Sequence, residues 1–193
     1  EILGQAERAA RSLGFDGVEL HVSCGRESLT RFANNAIHQN VAEQSSTISI
    51  RLFENQRTGR ASTNRAGADA VRQLVEDAAS ITRASAPDPH LLPLADPAPV
   101  AALDRHAAST ARATPAVRAS LVSSAIRVVQ EASLTAAGIC STSDSWLGVL
   151  NSRGVRAFHS ETMAVFSITA IGADSSGWAK SSSVGLSSLD TAA

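Results

Sequence analysis

The sequence predicts an α+β protein of two similar halves, each a helix followed by antiparallel strands, sharing one mixed or antiparallel sheet with helices packed on one face. Three observations lead there. Apolar residues recur at helical spacing in three stretches and alternate with polar ones in the segments between them. The order of helix, strand, Asn-rich turn, strand and hairpin occurs twice, at a constant shift of 118 residues. A proline-rich run separates the two occurrences.

The first helix is expected over Ile2–Leu13, where Ile2, Leu3, Ala6, Ala9, Ala10 and Leu13 fall on one side and Gln5, Arg8 and Arg11 on the other. Gly14 ends it, because glycine enters the left-handed cap without strain. Val18, Leu20 and Val22 then alternate with Glu19, His21 and Ser23, the pattern of a half-buried strand. A second short strand is expected over Leu29–Phe32, a turn at Asn34-Asn35 and a third strand from Ile37. Ile48, Ile50 and Leu52 give the clearest alternation, and Glu54–Thr58 turns the chain into a returning arm, Gly59–Thr63. Val71, Leu74, Val75, Ala78 and Ile81 define a second amphipathic helix over Ala68–Ile81.

Pro87, Pro89, Pro93, Pro97 and Pro99 make residues 85–113 a linker lying against the surface. Thr114-Pro115 opens a third helix, with Val117, Leu121, Ala125, Val128 and Ala132 facing one way. Strands are expected at Ala137–Ser141, Trp146–Leu150, Val155–Phe158, Met163–Ile171 and Trp178–Ser182, with a turn at Ser175-Ser176-Gly177 and a fraying tail, Ser187–Ala193. The 118-residue shift sets Phe32 on Leu150, Ile37 on Val155, Ile48 on Phe166 and Ile50 on Ile168. It also sets Thr58-Gly59-Arg60-Ala61 on Ser176-Gly177-Trp178-Ala179. The half-repeats therefore run over about 1–84 and 114–186 of a single domain, 1–193. Val71, Leu74, Val75, Ile48, Ile50, Phe166, Ile168, Val128 and Leu121 are its expected core.

Of the 193 residues 44% are hydrophobic and the net charge is -1, so there is no surplus of cations to grip nucleic acid or an anionic membrane. No apolar run approaches the ~20 residues that cross a bilayer. The chain opens Glu1-Ile2-Leu3, without Met or a signal-type segment, and looks like a fragment. Cys24 and Cys140 lie far apart with no CxxC pairing, which favours two buried, reduced thiols in a cytoplasmic protein over a disulfide.

A peptidase zinc site wants two histidines on one helical face and a glutamate to activate water. His21, His38, His90, His106 and His159 do not pair at such spacing, so each reads as a surface or half-buried histidine. No G-x-S-x-G elbow, P-loop or GxGxxG is present. For neither cysteine does a local signal supply a positioned base. Catalytic and metal-ligating residues are accordingly expected to be absent. The weak candidates for substrate binding are Arg51, Arg57, Arg60 and Arg65 around the first hairpin. They read either as a solvated edge guarded by charge or as a rim that holds acidic peptide groups or a C-terminal carboxylate. Trp146 and Trp178 are expected in core or inter-domain packing rather than in ligand stacking.

Leu29-Thr30-Arg31-Phe32-Ala33-Asn34-Asn35-Ala36-Ile37 resembles the "RFANN" stretch near the start of proteins of the TldD/PmbA family, the peptidase-related modulators of DNA gyrase. Leu150-Asn151-Ser152-Arg153-Gly154-Val155 resembles the family's "NSxG" turn, again followed by a long strand and a Ser-Gly turn, Ser176-Gly177. The resemblance implies an N-terminal α+β domain from a protein roughly twice this long, whose C-terminal, β-rich domain is absent from this sequence. In the TldD branch that second domain carries an HExxxH zinc motif with a cysteine as a further ligand. The PmbA (TldE) branch lacks the motif and serves as the partner subunit; likeness around Ser175–Asp190 favours this branch slightly. The implied function is an accessory domain that helps form a substrate chamber and a dimer. The alternatives are a non-enzymatic subunit that completes a partner peptidase and a stand-alone ligand-binding domain. Implied partners are a peptide or unfolded polypeptide and a homodimer or TldD/TldE-type heterodimer mate, with no direct nucleic acid and no membrane. Zinc is implied only for the intact protein or its partner subunit.

Overall fold

The computed structural model describes residues 2–189. The side chains of Ile2 and Leu3, expected on the first helix's apolar face, and the tail Asp190–Ala193 lie outside the described set. Helix α1, Ile2–Ser12, buries Ala6 and Ala10, and Gly14 follows it at φ 82. Strand β1, Gly17–Ala33, turns at Asn34 and Asn35 (φ 51 and 59) into β2, Ala36–Glu54. Asn55 and Gln56, also left-handed, turn β2 into β3, Arg57–Thr63. Helix α2 is Ala68–Ala84, and a one-turn helix α3, Ala108–Ala111, interrupts the proline-rich linker. Helix α4, Pro115–Glu131, starts at Thr114, whose Oγ1 accepts from the Val117 N–H at 3.4 Å. Strands β4, Thr135–Asn151, β5, Arg156–Ile171, and β6, Ser176–Ser183, follow, then a 3-10 turn, Leu186–Ser188.

The strands form one antiparallel sheet in the order β3-β2-β1-β4-β5-β6. β1 and β4 run oppositely: the Ser152 N–H donates to Val18 O at 2.8 Å, and the Asn35 N–H donates to Ala136 O at 3.2 Å. The 118-residue shift maps β1 onto β4 residue for residue. It also carries the β2–β3 register onto that of β5–β6. Ile48 pairs with Thr63 as Phe166 pairs with Ser181, and Ile50 with Ala61 as Ile168 with Ala179. The α+β class and the two similar halves read from the sequence are what the chain forms.

By packing, the chain divides into two compact units, each drawing strand segments from both sequence halves. The first comprises Glu1–Cys24, Ser45–Leu103 and Trp146–His159. Its core joins Ala6 and Ala10 of α1 with Val71, Leu74, Val75 and Ala78 of α2 and the strand residues Val18, Leu20, Ile50 and Leu52. The linker is tied on within this unit: Leu94 is buried, Asn151 Nδ2 donates to Ala95 O at 2.8 Å, and Arg153 Nε donates to Asp96 at 2.7 Å. The second unit comprises Gly25–Gln44, Asp104–Ser145 and Ser160–Ala193. Its core sets Val122, Ala125, Ile126 and Val129 of α4 against Phe32, Ala136, Cys140 and Phe166, with the Phe32 and Phe166 rings stacked at 6.0 Å. Here the Ala107 N–H donates to Thr162 Oγ1 and the Thr162 N–H to Arg105 O, both at 2.9 Å.

Several expectations need correction. The short strands expected at Val18–Val22 and Leu29–Phe32 are parts of one 17-residue strand. The pairs in the second half merge likewise, Ala137–Ser141 with Trp146–Leu150 and Val155–Phe158 with Met163–Ile171. Ladder hydrogen bonds use the backbone, so a polar stretch such as Ser23–Glu27 interrupts the hydrophobic alternation without interrupting the strand. The inward face of α4 is also shifted. Val128 and Val117 are 55% and 44% exposed and Leu121 is half-buried, whereas Arg118, Val122, Ile126 and Val129 are buried. A helix apolar around much of its circumference offers two stripes, and here Arg118 goes in with the second. In α2, Ile81 is 45% exposed and Thr82 is buried in its place, with its Oγ1 donating to Ala78 O at 2.7 Å. Finally, of the two roles expected for Trp146 and Trp178 the core one is excluded: they are 41% and 68% exposed, Trp146 lying against Phe158 at 6.2 Å.

Candidate functional site

Of the four arginines singled out from the sequence, Arg51, Arg57 and Arg60 divide between the two faces of the β2–β3 hairpin, and Arg65 lies beyond it. Arg51 and Arg60 are direct cross-strand partners, so their side chains share a face, opposite the one that buries Ile50 and Leu52. Arg51 Nη2 lies 2.8 Å from Glu19 on β1, and its guanidinium sits 4.8 Å from the Phe53 ring centre. His21 Nε2 approaches the same Glu19 oxygen at 3.6 Å. Arg60 Nε donates to Ser49 Oγ at 2.7 Å, and Arg60 has no acidic partner among the described residues.

Arg57 belongs to the helix-bearing face. Its Nη1 donates to Arg83 O at the end of α2, at 3.5 Å, where a cation meets the helix's negative end. Arg65 lies beyond β3, exposed, and only its backbone N–H is held, by Thr63 Oγ1 at 3.2 Å. The structure thus brings together Arg51 and Arg60 but not Arg57 or Arg65. Glu19, His21 and Ser49 complete the polar patch and were not singled out from the sequence. The alternation Val18-Glu19-Leu20-His21 put the first two on a polar strand face, but only the pairing of β1 with β2 sets them beside Arg51. Chemically the patch is an ion pair, Arg51–Glu19, next to an open guanidinium. Its open guanidinium can receive a carboxylate in bidentate fashion.

The histidines are dispersed. His38 and His90 are exposed, His159 is half-buried, and His106 Nε2 sits 3.0 Å from Asp144 Oδ1. No three His, Cys, Asp or Glu side chains converge among the described residues, and α1, α2 and α4 contain neither His nor Cys. These side chains do not fit a zinc ion of peptidase type. Both cysteines are free thiols; Cys140 is buried, but Cys24 is only half-buried, contrary to expectation. Among the described residues no helix is long and apolar enough to cross a membrane.

Residues 19–82 match the family model described as PmbA/TldA metallopeptidase domain 1. About a third of the chain is thus similar to the first domain of the PmbA/TldD family. No curated protein sequence matches the chain. Its fold is similar over 99% of its length to TldE from Thermococcus kodakarensis, at 19% identity and a TM-score of 0.89, covering 45% of that chain. A candidate modulator of DNA gyrase from Bacteroides thetaiotaomicron is similar over 99% at 17% identity and a TM-score of 0.84, with 46% of that chain covered. Another, from Thermotoga maritima, is similar over 98% at 12% identity and a TM-score of 0.84, with 44% covered. The chain spans less than half the length of these solved structures.

Proposed function

We propose that this chain is the N-terminal accessory domain of a PmbA/TldD-type peptidase system, cytoplasmic, which helps to shape a substrate chamber and a dimer. The observation that carries the reading is the match of residues 19–82 to the first domain of a metallopeptidase family, continued by a shared fold over the rest of the chain. The zinc chemistry, where the system has it, belongs to the remainder of the longer protein or to a partner subunit. The TldE-type reading, a non-enzymatic subunit that completes a partner peptidase, differs only in whether that remainder carries HExxxH. In both, an extended peptide adds along the outer edge of β3, where main-chain groups supply affinity and Arg60, beside Arg51, takes an acidic side chain or a terminal carboxylate.

The test uses this chain, the full-length polypeptide, and that polypeptide mixed with its partner subunit, on an unstructured acidic peptide. The chain alone is expected to bind the peptide without cleaving it, and cleavage to need the longer species. Arg60→Gln should weaken binding about 3- to 10-fold, the size of one lost charge-assisted contact. Tight stoichiometric zinc binding by this chain, with hydrolysis that a chelator abolishes, would overturn the accessory reading.

A further inference from the structure

The internal repeat supplies its own control for one surface. In the first half, Gly59 of β3 lies directly under α2: a Cβ there would fall 2.6 Å from Thr82 Oγ1 and 2.9 Å from Ala78 O. Around it Ile50 and Leu52 are fully buried and Ala61 is partly buried. The 118-residue shift carries Gly59 onto Gly177, with the strand register preserved. A Cβ at Gly177 would meet nothing within 4 Å. The equivalents of Ile50 and Leu52, namely Ile168 and Ala170, are only partly buried, and Ala179 is exposed. The same shift carries Ala68, the start of α2, onto Leu186, where the 3-10 turn begins, and carries the end of α2 past Ala193.

We propose that the face of β5 and β6 bearing Ile168, Ala170, Gly177 and Ala179 seats a second amphipathic helix, equivalent to α2, supplied by the polypeptide beyond Ala193. Length supports this occupant, because the solved relatives run to more than twice the span that this chain covers. Geometry supports it too. A glycine opposite a helix is what lets strand and helix backbones approach closely, as at Gly59, and on an open strand it only weakens β-structure. The inference is independent of the accessory-domain reading, since it concerns which element completes the sheet and not what the sheet binds.

Ala179→Cys, made with Cys24→Ser, turns the seat into a maleimide target, the buried Cys140 serving as the slow reference. Labelling is compared in this chain and in the full-length polypeptide. The full-length protein is expected to label about 100-fold more slowly at this position. The shift carries α2 (Ala68–Ala84) onto positions 186–202, and removing the part of that span that follows Ala193, about nine residues, is expected to restore the fast rate. Equal rates in both proteins overturn the proposal. So does protection that survives the deletion, or protection of this chain alone that grows with its concentration, which would mark a second copy as the occupant. Gly177→Val offers a second readout: it should lower the thermal midpoint of the full-length protein and leave that of this chain unchanged.

Discussion

Arg118 is 1% exposed, and no carboxylate pairs with it among the described residues. It is held by neutral acceptors: Nε donates to Thr30 Oγ1 at 3.3 Å, and Nη1 donates to Ala113 O at 3.2 Å and Thr142 Oγ1 at 3.4 Å. Burial accordingly pulls its pKa below the usual guanidinium range. Arg118→Ala, which leaves these acceptors unpaired beside a void, should cost about 2–4 kcal/mol in urea unfolding. Arg118→Met, which fills the space without a charge, should cost clearly less, because an apolar isostere relieves the desolvation of a buried cation. The neighbouring Cys140 thiol is pushed up to about 11 by burial, against the opposing pull of Arg118. Its folded value is the raised one, so between the ordinary 9.0 and about 11 the folded chain keeps a proton that the unfolded chain loses. Stability from this group is therefore complete below pH 9 and is lost as pH rises toward 11. Urea midpoints of Cys140→Ala across that range should fall less steeply than those of the parent.

Among the elements, what could be read from the sequence were those whose pattern serves a single demand. The hairpin turn at Asn34-Asn35 and the start of α4 at Thr114-Pro115 were marked by residues suited to left-handed backbone or to a first helical turn. The alternation Ile48-Ile50-Leu52 fixed its buried face. Where two demands compete the pattern misleads, as in α4, whose apolar residues surround much of the helix while an arginine points inward. Val122→Ala should therefore cost about 2 kcal/mol, and Val128→Ala should fall within about 0.5 kcal/mol of neutral; equal costs would restore the phase expected from the sequence. At Gly59 the sequence offered only a hairpin glycine, whereas packing makes it the contact point of β3 with α2. Gly59→Ala should lower stability by about 1–3 kcal/mol through forced separation of strand and helix, measurable by calorimetry.

At the scale of the molecule, the repeat was readable because duplication preserves spacing even when residue identities have drifted. The candidate site was only half readable. Arg51 and Arg60 stood out by charge, but Glu19, His21 and Ser49 join them through strand pairing, which a linear pattern does not encode. One feature of the sheet bears on how the chain reaches this state. Within each three-stranded half, neighbours are joined by hairpins and can pair as soon as they are made. The central seam, β1 with β4, joins Val18 to Ser152 and Asn35 to Ala136, across most of the chain. Closing it costs the loop entropy of everything between, so the two meanders should form early and the seam late. Until it closes, each meander presents a free β1 or β4 edge of matching length and register, and the β4 of another molecule fits β1 as well as its own does. Refolding at high protein concentration should therefore yield strand-exchanged dimers, which dilute refolding avoids.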